Sequence, residues 1–539
     1  MKNKKFLILL GCSIILLFSF QNPFFEIAKQ IEIYNNLYKI LNINYIDEIN
    51  PGELTNKAIN NTLSNLDPYT RFYNEQQMED ARIRREGEYG GVGISCYHTK
   101  QGIIVSKIKK DYPADKAGLK AGDVIFNVDG QNIEGLENDQ LSQFLKGAPN
   151  STVSVKLKRA DKIMNFDLTL DKIMENPVPF FKMINEDTGY VILTRFINAK
   201  ATSGVEDAVK ELKEQGMKKL VFDLRDNPGG SLNDAVNITN LFIPKGKKVV
   251  DTKGKTKENS RSYKTNKEPL DTEMPIVVLI NDKSASASEI VSGALQDYDR
   301  AVVMGKRSFG KGLVQRYFEL NYGTQMKATI SKYYTPSGRC IQELDYANRD
   351  SKTGKVPKFS DGKVNEYKTE NGRSVYDGGG VLPDVLSKTS DKTEATKKLL
   401  KSRAIFNFAT DFVRQKTINP DTFTFSDNDF EAFKKHIKFS DTTFVTKQEK
   451  LFKKAYKAEK ENNTISTEYE ALLAKLKDKK INEISKNKDI LIPYIEDEIL
   501  ERYIYKEGLY ERNFLKDNTI KEAVSLLNNS SKYNSILTK

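Results

Sequence analysis

Histidine and cysteine are the scarce residues of this chain. Two histidines, His98 and His436, and three cysteines, Cys12, Cys96 and Cys340, occur in 539 residues. No Cys/His cluster has metal-ligand spacing, so no metal and no other cofactor is expected. Cys12 lies in an N-terminal apolar run, which leaves at most one disulfide and excludes a disulfide framework. A Ser-His-Asp triad would need one of the two histidines as its base. His98 falls in a strand-like segment and His436 in a helical one (KKHIKF), both outside the region that alternates strands and helices, so a triad is not expected. Also lacking is a compact Arg/Lys block interleaved with aromatics. The net charge of +12 comes from lysines spread along the chain. Nucleic acid is therefore not an expected partner, and a solvated lysine surface or attraction to anionic lipid fits better. No internal repeat is present.

The chain starts with Lys2, Lys4 and Lys5, followed by about fifteen apolar residues, Phe6 to Phe20. That pattern is a signal peptide or signal anchor over 1–21. The run falls short of the ~20 residues of a spanning helix. No small-x-small cleavage site follows, which favours an uncleaved anchor. LLGC, residues 9–12, loosely resembles a lipobox, but the apolar run continues past it. The bulk of the protein is expected to be exported, on the periplasmic side of the inner membrane, with anchor and lipid in contact.

Residues 22–85 have the three- and four-residue apolar spacing of helices, as in FFEIAKQIEIYNNLYKILN. Residues 86–172 turn to glycines and short β-branched runs. From 173 to 390, strands and helices alternate: GYVILTRF, VEDAVKELKEQG, KKLVFDLR, SLNDAVNITNLF. This predicts an α/β layer, with a polar inserted loop at 343–377. Residues 391–539 read as a charged helical domain. The fold class is a multidomain α/β (α+β) protein with helical regions at both ends.

GLKAGDVIFNVDG, residues 118–130, resembles the most recognisable stretch of a PDZ domain. Upstream, EYGGVGISCY is similar to its carboxylate-binding loop and first strand, which gives Tyr89, Gly90, Gly91, Val92, Gly93 and Ile94 as peptide-binding residues. Successive backbone N–H groups there can cradle a terminal carboxylate, and the strand from Ile94 to His98 offers an edge to an extended peptide. NDQLSQFLKG would be the helix closing the groove and STVSVKLKR a late strand.

SASASE, Ser284 to Glu289, follows the apolar run PIVVLI. Its spacing fits two devices: an S-x-x-E capping box, or a nucleophile on a strand-to-helix turn. A nucleophilic Ser286 needs a base. A lysine serves if burial lowers its pKa from about 10.4 towards neutrality. Lys311, between Gly310 and Gly312 in KRSFGKGLVQ, is the candidate, and Gln315 could receive a hydrogen bond from its amine; an exposed turn lysine is the plain alternative. Gly305 to Lys311 also matches the start of a phosphate-binding loop. The Ser or Thr that should follow is Gly312, however, and LVQRYFEL looks like a strand rather than the helix required. An oxyanion hole could come from the backbone N–H groups of Gly229, Gly230 and Ala287. The first two lie in a strand, glycine turn and helix sequence, KLVFDLRDNPGGSLNDAVNI, although Asn-Pro-Gly-Gly alone could be a plain turn.

Together these pieces resemble the carboxyl-terminal processing proteases, or tail-specific proteases. The resemblance runs from about residue 27 to 387. It includes LDPYTRFY near residue 66, the PDZ stretch, DLRDNPGG, SASASEIVSGALQDYDRAVVMGKRSFGKGLVQ, and YYTPSGRCIQ followed by GGVLPDV. It implies a crotonase/ClpP-like core, a catalytic dyad of Ser286 and Lys311 with Gln315 in support, and Ser284 and Ser288 as structural residues. It also implies substrates with accessible C-termini, bearing apolar or small residues near the end, and is compatible with a homo-oligomer or a lipoprotein adaptor. The insert at 343–377 separates two motifs and is expected to cover or extend the cleft. The rival reading is a non-catalytic, membrane-anchored PDZ adaptor.

Overall fold

The computed structural model describes residues 23–538 apart from 76, 79–81, 83–87, 137–140, 142, 198, 363, 388–391, 438–443 and 460–465. The leader thus lies outside the described residues. Among those described, no helix is long and apolar enough to cross a membrane.

The chain divides into two compact units: residues up to 75 together with 315–329, and the remainder. The first unit begins with α1 (Pro23–Asn44) and α2 (Pro51–Ser64). Asn50 caps α2, receiving the Glu53 N–H, and proline occupies the first helical position, where its missing N–H costs nothing. LDPYTRFY then makes a tight turn into β1 (Arg71–Tyr73). Asp67 Oδ1 receives the N–H groups of Tyr69 and Thr70 at 2.7 and 2.8 Å. Thr70 Oγ1 donates to Asp67 Oδ2 at 2.9 Å and receives the Thr329 N–H at 3.1 Å. The motif is therefore a turn that holds the 315–329 arm.

The second unit opens with the PDZ region. Its strands are β2 (Glu88–Gly91), β3 (Ile94–Thr99), β4 (Gly102–Ile108), β5 (Val124–Val128), β6 (Gln131–Asn132), β7 (Thr152–Arg159), β8 (Lys162–Thr169) and β9 (Asp171–Met174), with α3 (Pro113–Lys116) between β4 and β5. The sheet order is β3-β4-β5-β7-β8, so β3 is an edge strand, as the PDZ reading requires. β7 alternates exposed and buried residues, placing Val153, Val155 and Leu157 in the PDZ core. Of the expected closing helix, 138–147, residues 138–140 and 142 lie outside the described residues, and Leu141 and Leu145 are buried in the PDZ core.

The α/β region is built on β10 (Phe180–Met183), β11 (Thr188–Ile192), α4 (Lys200–Glu214), β12 (Lys219–Asp223), α5 (Leu232–Asn240), β13 (Lys248–Gly254), β14 (Arg261–Lys264), β15 (Ile276–Ile280), α6 (Ala287–Asp297) and β16 (Val302–Gly305), and, after β17 (Leu313–Glu319) and β18 (Gln325–Tyr334), which run into and out of the first unit's 315–329 segment, on β19 (Glu366–Lys368), β20 (Ser374–Tyr376) and β21 (Val385–Leu386). The central sheet runs β10-β11-β12-β15-β16-β21 and is parallel except for β10. β15 is fully buried because both faces are covered, which explains its unbroken apolar run. Ile276, Val278 and Ile280 face the cluster under α4, α5 and α6. Val277 and Leu279 face the opposite cluster.

The opposite cluster is formed with helices from the C-terminal part of the chain. Helices α7 (Glu394–Leu399), α8 (Ala404–Gln415), α9 (Asp427–His436), α10 (Lys447–Glu459), α11 (Ser466–Lys486) and α12 (Lys488–Asn513) follow the sheet, and α7, α8, α9, α11 and α12 supply a core of their own. The last two helices, α13 (Asn518–Leu527) and α14 (Ser530–Leu537), pack Ile520, Ala523, Leu526, Leu527 and Tyr533 on Tyr190, Val221, Val277, Leu279 and Val302. Residues 391–539 thus hold two packing groups, one with its own core and one seated on the sheet. Their end completes the α/β/α layering around the central sheet.

The insert, 343–377, makes contacts at two places. Its later part is the β19–β20 hairpin, whose segment docks at the C-terminal end of α6: the Glu370 N–H meets the Asp297 carbonyl at 2.8 Å, and Arg373 pairs with Asp299 and Asp384. Its first residues reach the lysine loop, with the Glu343 N–H on the Gly310 carbonyl at 2.9 Å.

Candidate active site

β15 ends at Ile280, and a short turn leads to Ser286, the residue before α6. Ser286 has φ 55° and ψ −111°, a conformation that L residues avoid at a cost of about 1–3 kcal/mol. Its surroundings enforce it. Ser284 and Ser288 are wholly buried, and their hydroxyls donate to the carbonyls of Leu224 and Asn227 at 2.8 and 2.9 Å. The Ala285 N–H also reaches the Asn227 carbonyl, at 3.0 Å. The outer two serines of SASAS thus hold the middle one in place.

The capping pair read from S-x-x-E exists, but Glu289 does much more than cap. It is fully buried. Its Oε2 receives the N–H of Ser286 at 2.7 Å and of Lys311 at 2.9 Å. Its Oε1 receives Ser308 Oγ–H at 2.6 Å and the Gly310 N–H at 2.7 Å. One carboxylate oxygen therefore joins the serine turn directly to the lysine loop. Burial pushes the Glu289 carboxyl above its ordinary range, against the pull of these four donors. Tyr333 adds a second clamp: its hydroxyl lies 3.1 Å from the Ser286 carbonyl and 2.6 Å from that of Lys311. Sequence reasoning missed both clamps. The S-x-x-E spacing pointed to Glu289 only as a local cap.

The Asn-Pro-Gly-Gly turn lies against the nucleophile turn. A Cβ on Gly229 would fall 2.5 Å from the Ala285 carbonyl and 2.8 Å from the Ala287 nitrogen, and one on Gly230 would fall 2.1 Å from the Phe196 carbonyl. Both glycines have positive φ, 92° and 147°. The expected donor set needs one correction. The Gly229 N–H is taken by Asn227 Oδ1 at 2.9 Å, so Gly229 provides room rather than a donor. No such bond engages the N–H of Gly230 or of Ala287 among the described residues. Asn227 was the residue to look for: a side chain that accepts within its own turn is common for asparagine.

Ser286 and Lys311 are both partly buried. Gln315 lies in β17, where its Nε2 donates to Thr329 Oγ1 at 3.3 Å within the first unit. Gly305 ends β16, and Lys311 is followed by β17, not by a helix, which removes the phosphate-loop reading. His436 pairs with Asp411 at 2.9 Å in the helical region, and His98 lies beside Cys96 in β3.

The residues expected to bind peptide, Tyr89 to Ile94, fall in β2, a short loop and the start of β3. Tyr89, Gly90 and Gly91 belong to β2, paired antiparallel with β9. The loop proper is Val92 and Gly93, leading to Ile94 at the start of β3. It is held open by the Lys109 N–H on the Gly93 carbonyl and the Ala114 N–H on that of Val92, at 2.8 and 2.9 Å.

Comparison with known proteins gives the domain content and the family. Residues 187–347 match the family described as "Peptidase family S41", residues 90–170 the "PDZ domain" family, and residues 395–527 the family "Probable PDZ-protease, C-terminal helical domain". A carboxy-terminal-processing protease of Bartonella bacilliformis is 34% identical over 322 residues, 59% of this chain and 73% of that relative. A "Probable CtpA-like serine protease" of Staphylococcus aureus is 37% identical over 57% of this chain and 61% of its own length. A solved structure of the photosystem II D1 C-terminal processing protease shares 27% identity over 66% of this chain and 92% of that one, with a TM-score of 0.37. The chain therefore belongs to the carboxy-terminal-processing proteases, a PDZ-containing branch of peptidase family S41.

Proposed function

We propose that the protein is a cell-envelope serine endopeptidase that captures the C-terminal tails of protein substrates and cleaves them with Ser286 and Lys311. The observation that carries this reading is the shared acceptor, Glu289 Oε2, which ties the backbone of the nucleophile turn to that of the lysine loop. In the reaction, neutral Lys311 takes the proton from Ser286 Oγ as that oxygen attacks the scissile carbonyl. The resemblance gives Gln315 the task of orienting the lysine amine. The developing oxyanion is received by the N–H groups of Gly230 and Ala287, the latter at the positive end of α6. Lys311, now protonated, returns the proton to the leaving amine, and water hydrolyses the acyl-enzyme. The substrate carboxylate sits on the Val92–Gly93 loop while its last residues pair with the β3 edge. The apolar leader holds the enzyme at the inner membrane, facing the periplasm.

The test is cleavage of a fluorogenic peptide that ends in a free carboxylate on an apolar residue. Ser286→Ala and Lys311→Met should each lower cleavage by at least about a thousandfold, with peptide binding retained. Cleavage surviving in Ser286→Ala would leave a PDZ adaptor as the better reading.

A further inference from the structure

We propose that Asp517, at the start of α13, is a positioning residue for the oxyanion turn, acting through Arg225. The inference rests on the proteolytic reading above.

The turn 224–230 is held from two sides. On the nucleophile side, Asn227 takes the Gly229 N–H and its carbonyl takes the Ala285 N–H, while the Asp226 N–H goes to Asn281 Oδ1 at 3.0 Å. On the other side stands Arg225. Its Nη2 lies 2.6 Å from Asp223 Oδ2, its Nε 3.0 Å from both oxygens of Asp223, and its backbone N–H 2.9 Å from Asp223 Oδ1. Asp223 is buried and also receives the Tyr190 hydroxyl at 2.8 Å. The remaining arm of the guanidinium, Nη1, reaches Asp517 Oδ2 at 2.7 Å. Arg225 keeps only 20% of its side chain exposed, so this second carboxylate meets a charge already largely withdrawn from water.

Asp517 divides its two oxygens between two tasks. Oδ1 caps α13, receiving the N–H groups of Thr519 and Ile520 at 2.8 and 3.1 Å. Oδ2 takes Arg225. A helix cap needs one oxygen, and asparagine or serine would supply it. The second oxygen is the feature capping leaves unexplained. It ties a helix far along the chain to the residue that precedes the glycine turn. A freed Arg225 arm would swing towards water and release the start of that turn, moving the Gly230 N–H off the developing oxyanion. Such displacements cost rate more than binding.

Two variants keep the cap and lose the tie, Asp517→Asn and Asp517→Ser. The assay is the full-length enzyme on the same fluorogenic peptide, with Ser286→Ala alongside. Both variants should lower kcat about tenfold, with KM within twofold and an unchanged melting temperature. In an Arg225→Gln background, Asp517→Asn should add no further loss. Wild-type kcat in both variants overturns the inference, as do losses that multiply with Arg225→Gln. Cleavage by Ser286→Ala, or none by the wild type, would instead overturn the reading of the site.

Discussion

Glu289 has no polar atom to spare. Its two oxygens take four donors, from Ser286, Ser308, Gly310 and Lys311. Glu289→Gln places an NH2 where one oxygen stood, whichever way the amide turns, so two donors lose their acceptor at about 1–3 kcal/mol each. Cleavage should fall by about a hundredfold. The melting temperature should fall less, because burial already opposes the charge on this carboxyl and neutralising it recovers part of that cost. Peptide cleavage and a thermal melt, run on the same preparation, check the split; equal losses in both would contradict it. The sequence showed Glu289 through its spacing to Ser286, because a capping pair is local. It did not show Ser308 and Gly310 as partners, because those contacts depend on how two loops meet in three dimensions. Gly229 is the same lesson reversed: the motif was legible, but which of its two amides stays unpaired was set by Asn227.

Elements with two apolar faces or a glycine turn were legible, and elements whose partners lie far along the chain were not. PIVVLI reads as a buried strand because only a sheet covered on both sides tolerates such a run. α12 gave no such signal. It carries Pro493 and a break at Tyr505, whose φ is 57°. At that break the Tyr505 hydroxyl donates to Asp115 Oδ1 at 2.7 Å, in α3 of the PDZ region. The hydrogen bond to Asp115, with burial second, pushes the Tyr505 hydroxyl up to about 12. The neutral form is thus favoured in the folded state. The contact's stability is complete below the ordinary tyrosine value near 10, and is lost as pH rises through about 12. Tyr505→Phe should remove it at neutral pH for about 1 kcal/mol, a figure kept low because the group is partly solvated. The readout is faster amide exchange at Asp111, whose N–H is bound to Asp115 Oδ2 at 2.8 Å. Wild-type protein should approach the variant's exchange pattern in strongly alkaline buffer. Unchanged exchange in Tyr505→Phe would show that this hydrogen bond does not hold α3.

At the scale of the whole molecule, the end of the chain behaves as part of the catalytic region. α13 and α14 carry none of the proposed site residues, yet they cover one face of the central sheet. Their removal would expose Tyr190, Val221, Val277, Leu279, Val302 and Met304. Tyr533 would be lost too, and with it the bonds it makes to both the N–H and the carbonyl of Ile276, at 2.9 and 3.0 Å. Each buried aliphatic side chain is worth about 1.5–3 kcal/mol. Several such losses together exceed the roughly 5–15 kcal/mol by which a typical domain is stable. A chain ending at Asp517 should therefore be insoluble or unfolded, and a chain carrying Ser286→Ala with an intact C-terminus should fold normally. Circular dichroism melts of the two, compared with the full-length protein, decide the matter. A cooperative, near-native melt from the shortened chain would mean that the last two helices are an accessory after all. The contrast has a functional edge, because Asp517 begins α13. The same helix that closes the sheet also begins with the carboxylate on Arg225, so one element joins the sheet cover to the turn that holds Gly229 and Gly230.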